Sequence, residues 1–175
     1  MNVLAGAATQ LRIETAADGT GLEITTPALV AGGSLAAYAV TRDVYGNFVA
    51  NVAATWSLLD LTGDVVAGDL VPAADNKSAV FTGHLAGTGV IDAVSGVFTD
   101  STGAITVVAG IVSRLSIETA PDGSGTEVGA QELTVGSNLT LYAIARDAGG
   151  NFVANVAAIW SVVSASICSV EKADT

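Results

Sequence analysis

Arg42-Asp43-Val44-Tyr45-Gly46-Asn47-Phe48-Val49-Ala50-Asn51-Val52-Ala53-Ala54-Thr55-Trp56-Ser57 recurs 104 residues later, with three changes inside it, from Arg146 to Ser161. The run from Gly46 to Ala54 is identical to the run from Gly150 to Ala158. Working outward, Leu11–Asp60 aligns with Leu115–Ser164 without a gap, and 27 of the 50 positions are identical. Each copy opens on Leu-x-Ile-Glu-Thr-Ala-x-Asp-Gly, at Leu11 and at Leu115. A period near 100 residues is too long for a solenoid unit and is the size of an independent sandwich domain.

The same offset lays Met1-Asn2-Val3-Leu4-Ala5-Gly6 over Ile105-Thr106-Val107-Val108-Ala109-Gly110. This predicts three parts. Residues 1–8 are the last strand of a preceding repeat, 9–110 one complete repeat, and 111–175 the N-terminal half of a further one. The link Val108-Ala109-Gly110-Ile111-Val112-Ser113 is short and largely apolar. It is unlike a Gly/Ser-rich tether and predicts stacking of the units as a stiff rod.

Half of the 175 residues are apolar, with few aromatics, 20 glycines and many Thr and Ser. Short strands and frequent turns suit that mixture better than long helices. No apolar run reaches the 18 or so residues of a membrane-spanning helix. Seventeen acidic residues against six basic ones give a net charge of −11. Such a chain repels phosphate backbones, which argues against nucleic acid as a partner. One cysteine, Cys168, cannot form an internal disulfide framework. It is left as a candidate for an intermolecular bridge or an accident of position.

Alternating apolar and polar residues mark the strands. Gln10–Ala16 is the first, with Leu11 and Ile13 inward. Leu22–Thr26 resumes the edge after the Asp18-Gly19-Thr20-Gly21 turn, and Pro27 suits a strand end. Ser34–Arg42 is the clearest, with Leu35, Ala37 and Ala39 on the core face and Tyr38 on the other. Asp43–Asn47 is a turn, in which Asp43 accepts bonds from the N–H groups that follow and Gly46 supplies backbone freedom. Val52–Leu59 places Val52, Ala54, Trp56 and Leu58 on one face, with Trp56 as a buried anchor. Asp64–Ala67, Lys77–Gly83, Thr88–Ser95 and Gly103–Ala109 complete seven or eight strands, and Asp100–Gly103 is read as a turn between the last two. The prediction is an all-β sandwich.

The pattern Asp-x-x-Gly-Asn-x-Val, then Val and Trp-Ser, in repeats of this length, resembles the bacterial immunoglobulin-like domains of invasin- and intimin-like adhesins. The resemblance is most specific over Arg42–Ser57 and Arg146–Ser161. It implies an immunoglobulin-like sandwich outside the cell, serving as a spacer or adhesion module, with no catalytic residues or cofactor to carry over. The structural residues it marks are Trp56, Trp160, Asp43, Asp147, Gly46 and Gly150. The second copy ends without counterparts of Lys77–Gly83, Thr88–Ser95 and Gly103–Ala109. That predicts a half-sandwich with an open face, completed by self-association through strand exchange or sheet packing, with Met1–Ala5 as candidate donor.

Glu14, Asp18 and Asp43, with Glu118, Asp122 and Asp147 in the second copy, have the oxygen chemistry of a Ca²⁺ site, but turn chemistry is the preferred reading. His84, the lone histidine, reads as a surface residue in a Gly-rich turn; no Gly-x-Ser-x-Gly elbow accompanies it. Lys77 beside Asn76 reads as a solvated strand end ahead of an isopeptide bond. Tyr38 and Phe48, with Tyr45, are the aromatics available to a polysaccharide or host-surface ligand, the alternative function, as for a module accessory to a secreted enzyme.

Overall fold

The computed structural model describes residues 4–162. Cys168 and most of Met1–Ala5 lie outside them. Among the described residues there are thirteen strands: β1 Gln10–Glu14, β2 Ala28–Val30, β3 Ser34–Arg42, β4 Phe48–Asn51, β5 Thr55–Gly63, β6 Leu70–Pro72, β7 Ser78–Thr82, β8 Gly87–Ser95, β9 Phe98–Ser101, β10 Ile105–Val108, β11 Arg114–Glu118, β12 Tyr142–Arg146 and β13 Phe152–Asn155. A 3-10 turn at Ala67–Asp69 precedes β6.

The first ten strands make two sheets. One runs β1-β3-β7-β6, with β4 taking over from β7 along the far half of β3. The other runs β2-β10-β8-β5, with β9 taking over from β10 along β8. Lettered in chain order, the first sheet is A-B-E-D and the second is C-F-G, with a short A′ segment, β2, parallel to G. This is an immunoglobulin-like β-sandwich. The chain passes from one sheet to the other between β4 and β5. There the Val52 and Ala54 N–H groups bond Ala39 and Asn76 carbonyls instead of a ladder, so the strand expected over Val52–Leu59 begins only at Thr55, and Phe48–Asn51 ahead of the crossing is a separate strand.

The core lies between the sheets. Leu11, Ile13, Ala37, Ala39, Ala79 and Phe81 face Leu58, Ile91, Ala93, Ile105 and Val107, all buried. Alternation assigned these faces correctly, because successive strand residues point to opposite sides. At the open side, the Asp100 carboxylate on β9 accepts the Ile13 N–H of β1 at 2.7 Å and ties the two sheet edges. Burial pushes its pKa up, against the lowering effect of that bond.

Other sequence expectations change: Leu22–Thr26 holds only an isolated bridge, Glu14↔Glu23, rather than a strand. Asp64–Ala67 is not a strand; Gly63, at φ 61°, ends β5, and the next strand waits until Leu70. Phe98–Ser101, half of it read as a turn, is β9, folded back on β8 through Gly96 at φ 62°. Trp56 is half-buried at the rim rather than a buried anchor. It lies on the edge strand β5, where its indole N–H finds the Asn76 carbonyl at 2.9 Å; full burial would have required an acceptor inside the core.

The second copy supplies β11-β12-β13, a three-stranded sheet. Its registers repeat the first copy: Arg114↔Arg146 and Glu118↔Tyr142 correspond to Gln10↔Arg42 and Glu14↔Tyr38. The irregularity between Thr41 and Arg42 recurs between Ala145 and Arg146. Trp160 is half-buried and lies outside any strand.

Candidate functional site

The stretch that repeats most faithfully builds the most heavily bonded polar cluster, and builds it twice. At the end of β3, Asp43 is 2% exposed. Its Oδ1 accepts the Tyr45 and Asn47 N–H groups, both at 2.9 Å, and the Asn47 side-chain amide also bonds the carboxylate. Its Oδ2 accepts the N–H of Gly6 at 2.8 Å. Gly46, at φ 81°, closes the turn by donating to the Asp43 carbonyl, a conformation that favours glycine. The Asn47 side chain first, then the Gly6 N–H, hold the Asp43 carboxyl down at about 2.

At the end of β12 the same bonds recur. Asp147 accepts N–H groups from Gly149 and Asn151 on Oδ1 and from Gly110 on Oδ2, at 2.9, 2.9 and 2.7 Å. Burial pulls the Asp147 pKa upward, but bonds from Gly110, Asn151 and Gly149 outweigh it and keep it low. Gly110 belongs to the link between the copies, so Asp147 clamps the chain where one copy becomes the next.

An ion pair braces each turn from behind. Arg42 meets Glu14 with two parallel bonds, Nε–Oε1 at 2.5 Å and a second at 2.7 Å. The same guanidinium donates to the carbonyls of Gly46 and Gly19. Arg146 does this with Glu118, Gly150 and Gly123. Arg146 first, with a Ser116 hydroxyl bond assisting, lowers the Glu118 pKa against its burial. Gly19 lies against the ring of Phe48, where an added Cβ would come within 2.5 Å, and Gly123 and Phe152 repeat the arrangement. A planar fork satisfying a carboxylate and two carbonyls is a task for Arg rather than Lys. These pairs were missed in the sequence; the signal was that Glu and Arg both recur at the 104-residue offset.

One bond crosses between the copies in the second turn. The N–H of Ala86, in the loop between β7 and β8, donates to Asn151 Oδ1 at 2.8 Å. Beside it is an open cleft of about 670 Å³, lined by Asp64, Leu85, Ala86, Asn151 and Phe152 among others. In the same loop, His84 Nδ1 lies 2.7 Å from Asp69, a buried carboxylate whose other oxygen accepts the Val66 N–H. His84 is a surface residue, as expected, with its ring 64% exposed.

The candidate cation ligands are occupied by protein donors: Glu14 by Arg42, Asp43 by N–H groups, and Asp18 by the Thr20 N–H and hydroxyl. Among the described residues no group of three or more His, Cys, Asp or Glu is placed to hold a metal ion. Tyr38 and Phe48 are half-buried, whereas Tyr45 is 87% exposed. Lys77 is exposed at the start of β7, its N–H bonded to Asp75. No helix in the described residues is long and apolar enough to cross a membrane.

No protein-family model and no curated protein matches the sequence. Solved structures do. Domains 4–9 of the surface-layer protein SbsC share 19% identity over 86% of this chain, with a TM-score of 0.37; the chain spans 22% of that structure's length. Domains 5–6 of SbsC give 20% identity over 83% of this chain and 68% of theirs, with a TM-score of 0.38. The Escherichia coli adhesin FdeC gives 22% identity over 82% of this chain and 42% of its own, with a TM-score of 0.36.

Proposed function

We propose that this chain is a non-catalytic structural module of a bacterial surface or secreted protein, in which immunoglobulin-like units of the invasin and intimin kind are held end to end as a spacer. The observation that carries this reading is the joint. Gly110 is clamped by Asp147, and Ala86 is bonded to Asn151, so both the link and the flanking loop of one copy are fixed to a turn of the next. A link held at two points resists bending in a way that a solvated tether does not. The buried Glu118–Arg146 pair keeps that turn from shifting. The acidic surface suits a soluble, exterior setting.

The test is a distance distribution between spin labels at Thr99→Cys and Thr126→Cys in the full chain carrying Cys168→Ser. One narrow distance is expected, broadened by Asn151→Ala together with Asp147→Ala. A broad distribution in the parent overturns the spacer reading.

A second reading concerns partners. Leu115 and Ile117 are 63% and 46% exposed, whereas their equivalents Leu11 and Ile13 are 4% and 0% exposed. In the first copy a second sheet covers that face. Two copies of the chain laying their β11-β12-β13 faces against one another form a two-sheet sandwich with twofold symmetry. Light scattering over a concentration series tests it: a dimer that Leu115→Ser dissociates supports the pairing, and a monomer at every concentration rules it out.

A further inference from the structure

The two turns are built alike but differ in what touches them. Asn151 is 6% exposed and its Oδ1 is taken by Ala86. Asn47 is exposed, and among the described residues no donor reaches its Oδ1; its amide is turned to Asp43 as that of Asn151 is to Asp147. The clamp itself is complete in both, with Gly6 in the place of Gly110.

The rims differ as well. Ala148 and Gly149, beside the occupied turn, border an open, mostly apolar cavity of about 460 Å³ with Val30, Ala31 and Ile111. The first copy has Val44 and Tyr45 at those two positions, and they are 71% and 87% exposed. An exposed Val and Tyr at the rim of an unoccupied acceptor mark an apolar contact surface around a directional bond. The cavity next to the occupied turn shows that a unit docked in this way leaves room for larger side chains there.

We propose that the Asp43–Asn47 turn is a second docking socket, which receives the end of another immunoglobulin-like unit carrying a loop like Gly83–Ala86. The inference rests on the end-to-end reading of the joint. Asn47 Oδ1 accepts the incoming backbone N–H, and Val44 and Tyr45 enter the cavity that Ala148 and Gly149 leave open in the other joint. The fit is not an identical copy. A Cβ on Gly149 would lie 3.3 Å from the His84 carbonyl oxygen, so a loop seated against Tyr45 stands a few tenths of an ångström further out. The apolar rim compensates for that displacement by burying more surface.

The test adds one unit to the full chain: Met1–Gly110 followed directly by Ala7–Thr175, so that the new joint has the Gly110-to-Ala7 link in place of Gly110-to-Ile111. With only the added unit isotope-labelled, amide exchange at its Ala86 is followed by NMR. Protection on the order of tenfold or more over an open loop is expected. It should be lost when the Asn47 facing that loop becomes Ala, and reduced when the facing Tyr45 becomes Ala. An unprotected Ala86 in the added unit, while its Ile13 amide stays protected and shows it folded, overturns the proposal. The parent chain keeps the two ideas apart. Ala86 there should be protected and should lose protection in Asn151→Ala. If it does while the added unit fails, the socket is wrong and the joint stands. If Ala86 of the parent is unprotected from the outset, the joint and the proposal fall together.

Discussion

The two copies of Arg-Asp-x-x-Gly-Asn have the same internal bonds and different surroundings. Asp43 and Asp147 each hold two following N–H groups and that of one glycine 37 residues earlier. Glu14–Arg42 and Glu118–Arg146 are superimposable in their partners. Yet Asn47 is exposed where Asn151 is buried, and Ile13 is buried where Ile117 is half exposed. Local sequence sets the turn and the brace, because every partner lies in the turn itself, on the adjoining strand β1 or β11, or in the segments flanking that strand. Burial is set by the next layer, which belongs to other parts of the chain. A polar turn can thus be complete in itself and still serve as a joint only where another unit reaches it.

The largest expected effect is at the brace. Glu14→Ala leaves the Arg42 guanidinium without its carboxylate in a largely buried site, and denaturant unfolding should show a loss of about 3–5 kcal/mol. A loss well under that range would show that the Gly19 and Gly46 carbonyls suffice for Arg42.

Next comes the core face. Ile13→Ala should cost about 2–5 kcal/mol, as for a fully buried aliphatic side chain. Ile117→Ala, at a 46% exposed position, should cost less than about 1 kcal/mol. Equal costs in the two variants would break the comparison, because they would mean that Ile117 is covered in solution.

The joint follows. Asn151→Ala should remove about 1 kcal/mol of coupling between the copies, seen as faster exchange at Ala86. Asn47→Ala in the parent chain should leave Ala86 unchanged, since Asn47 does not touch it.

The finest test is by acid. The folded pKa of Asp43, about 2, lies below the ordinary 3.8. Its stabilising contribution is therefore complete above about pH 4 and is lost as the pH falls toward 2. Asp43→Asn should flatten the stability profile in that window while leaving the part contributed by Glu118, lowered from 4.5, in place. An unchanged profile would mean that Asp43 is no more strongly bonded in the folded chain than in the unfolded one.

Much of this was legible in the chain. Alternation at Leu11–Ile13, Leu35–Ala39 and Ala54–Leu58 assigned the core faces, since the period of a strand fixes which residues share a side. Asp43 and Gly46 were readable as a turn from the chemistry of a carboxylate accepting nearby N–H groups and a glycine at positive φ. The strands that escaped notice, β2, β4, β6 and β9, are short, and each exists because another strand offers it a ladder: β10 for β2, β3 for β4, β7 for β6 and β8 for β9.

By itself, then, the sequence determined the repeat, the all-β class, the inward residues and the Asp-Gly-Asn turn, because these rest on contacts between near neighbours and on strand periodicity. Tertiary structure decided the rest. It placed Trp56 on an edge with its N–H on Asn76, tied Ile13 to Asp100 from 87 residues away, and set the Ala86 N–H on Asn151 across 65 residues. It is that last long-range bond, absent from any local pattern, that makes one of two near-identical turns a joint.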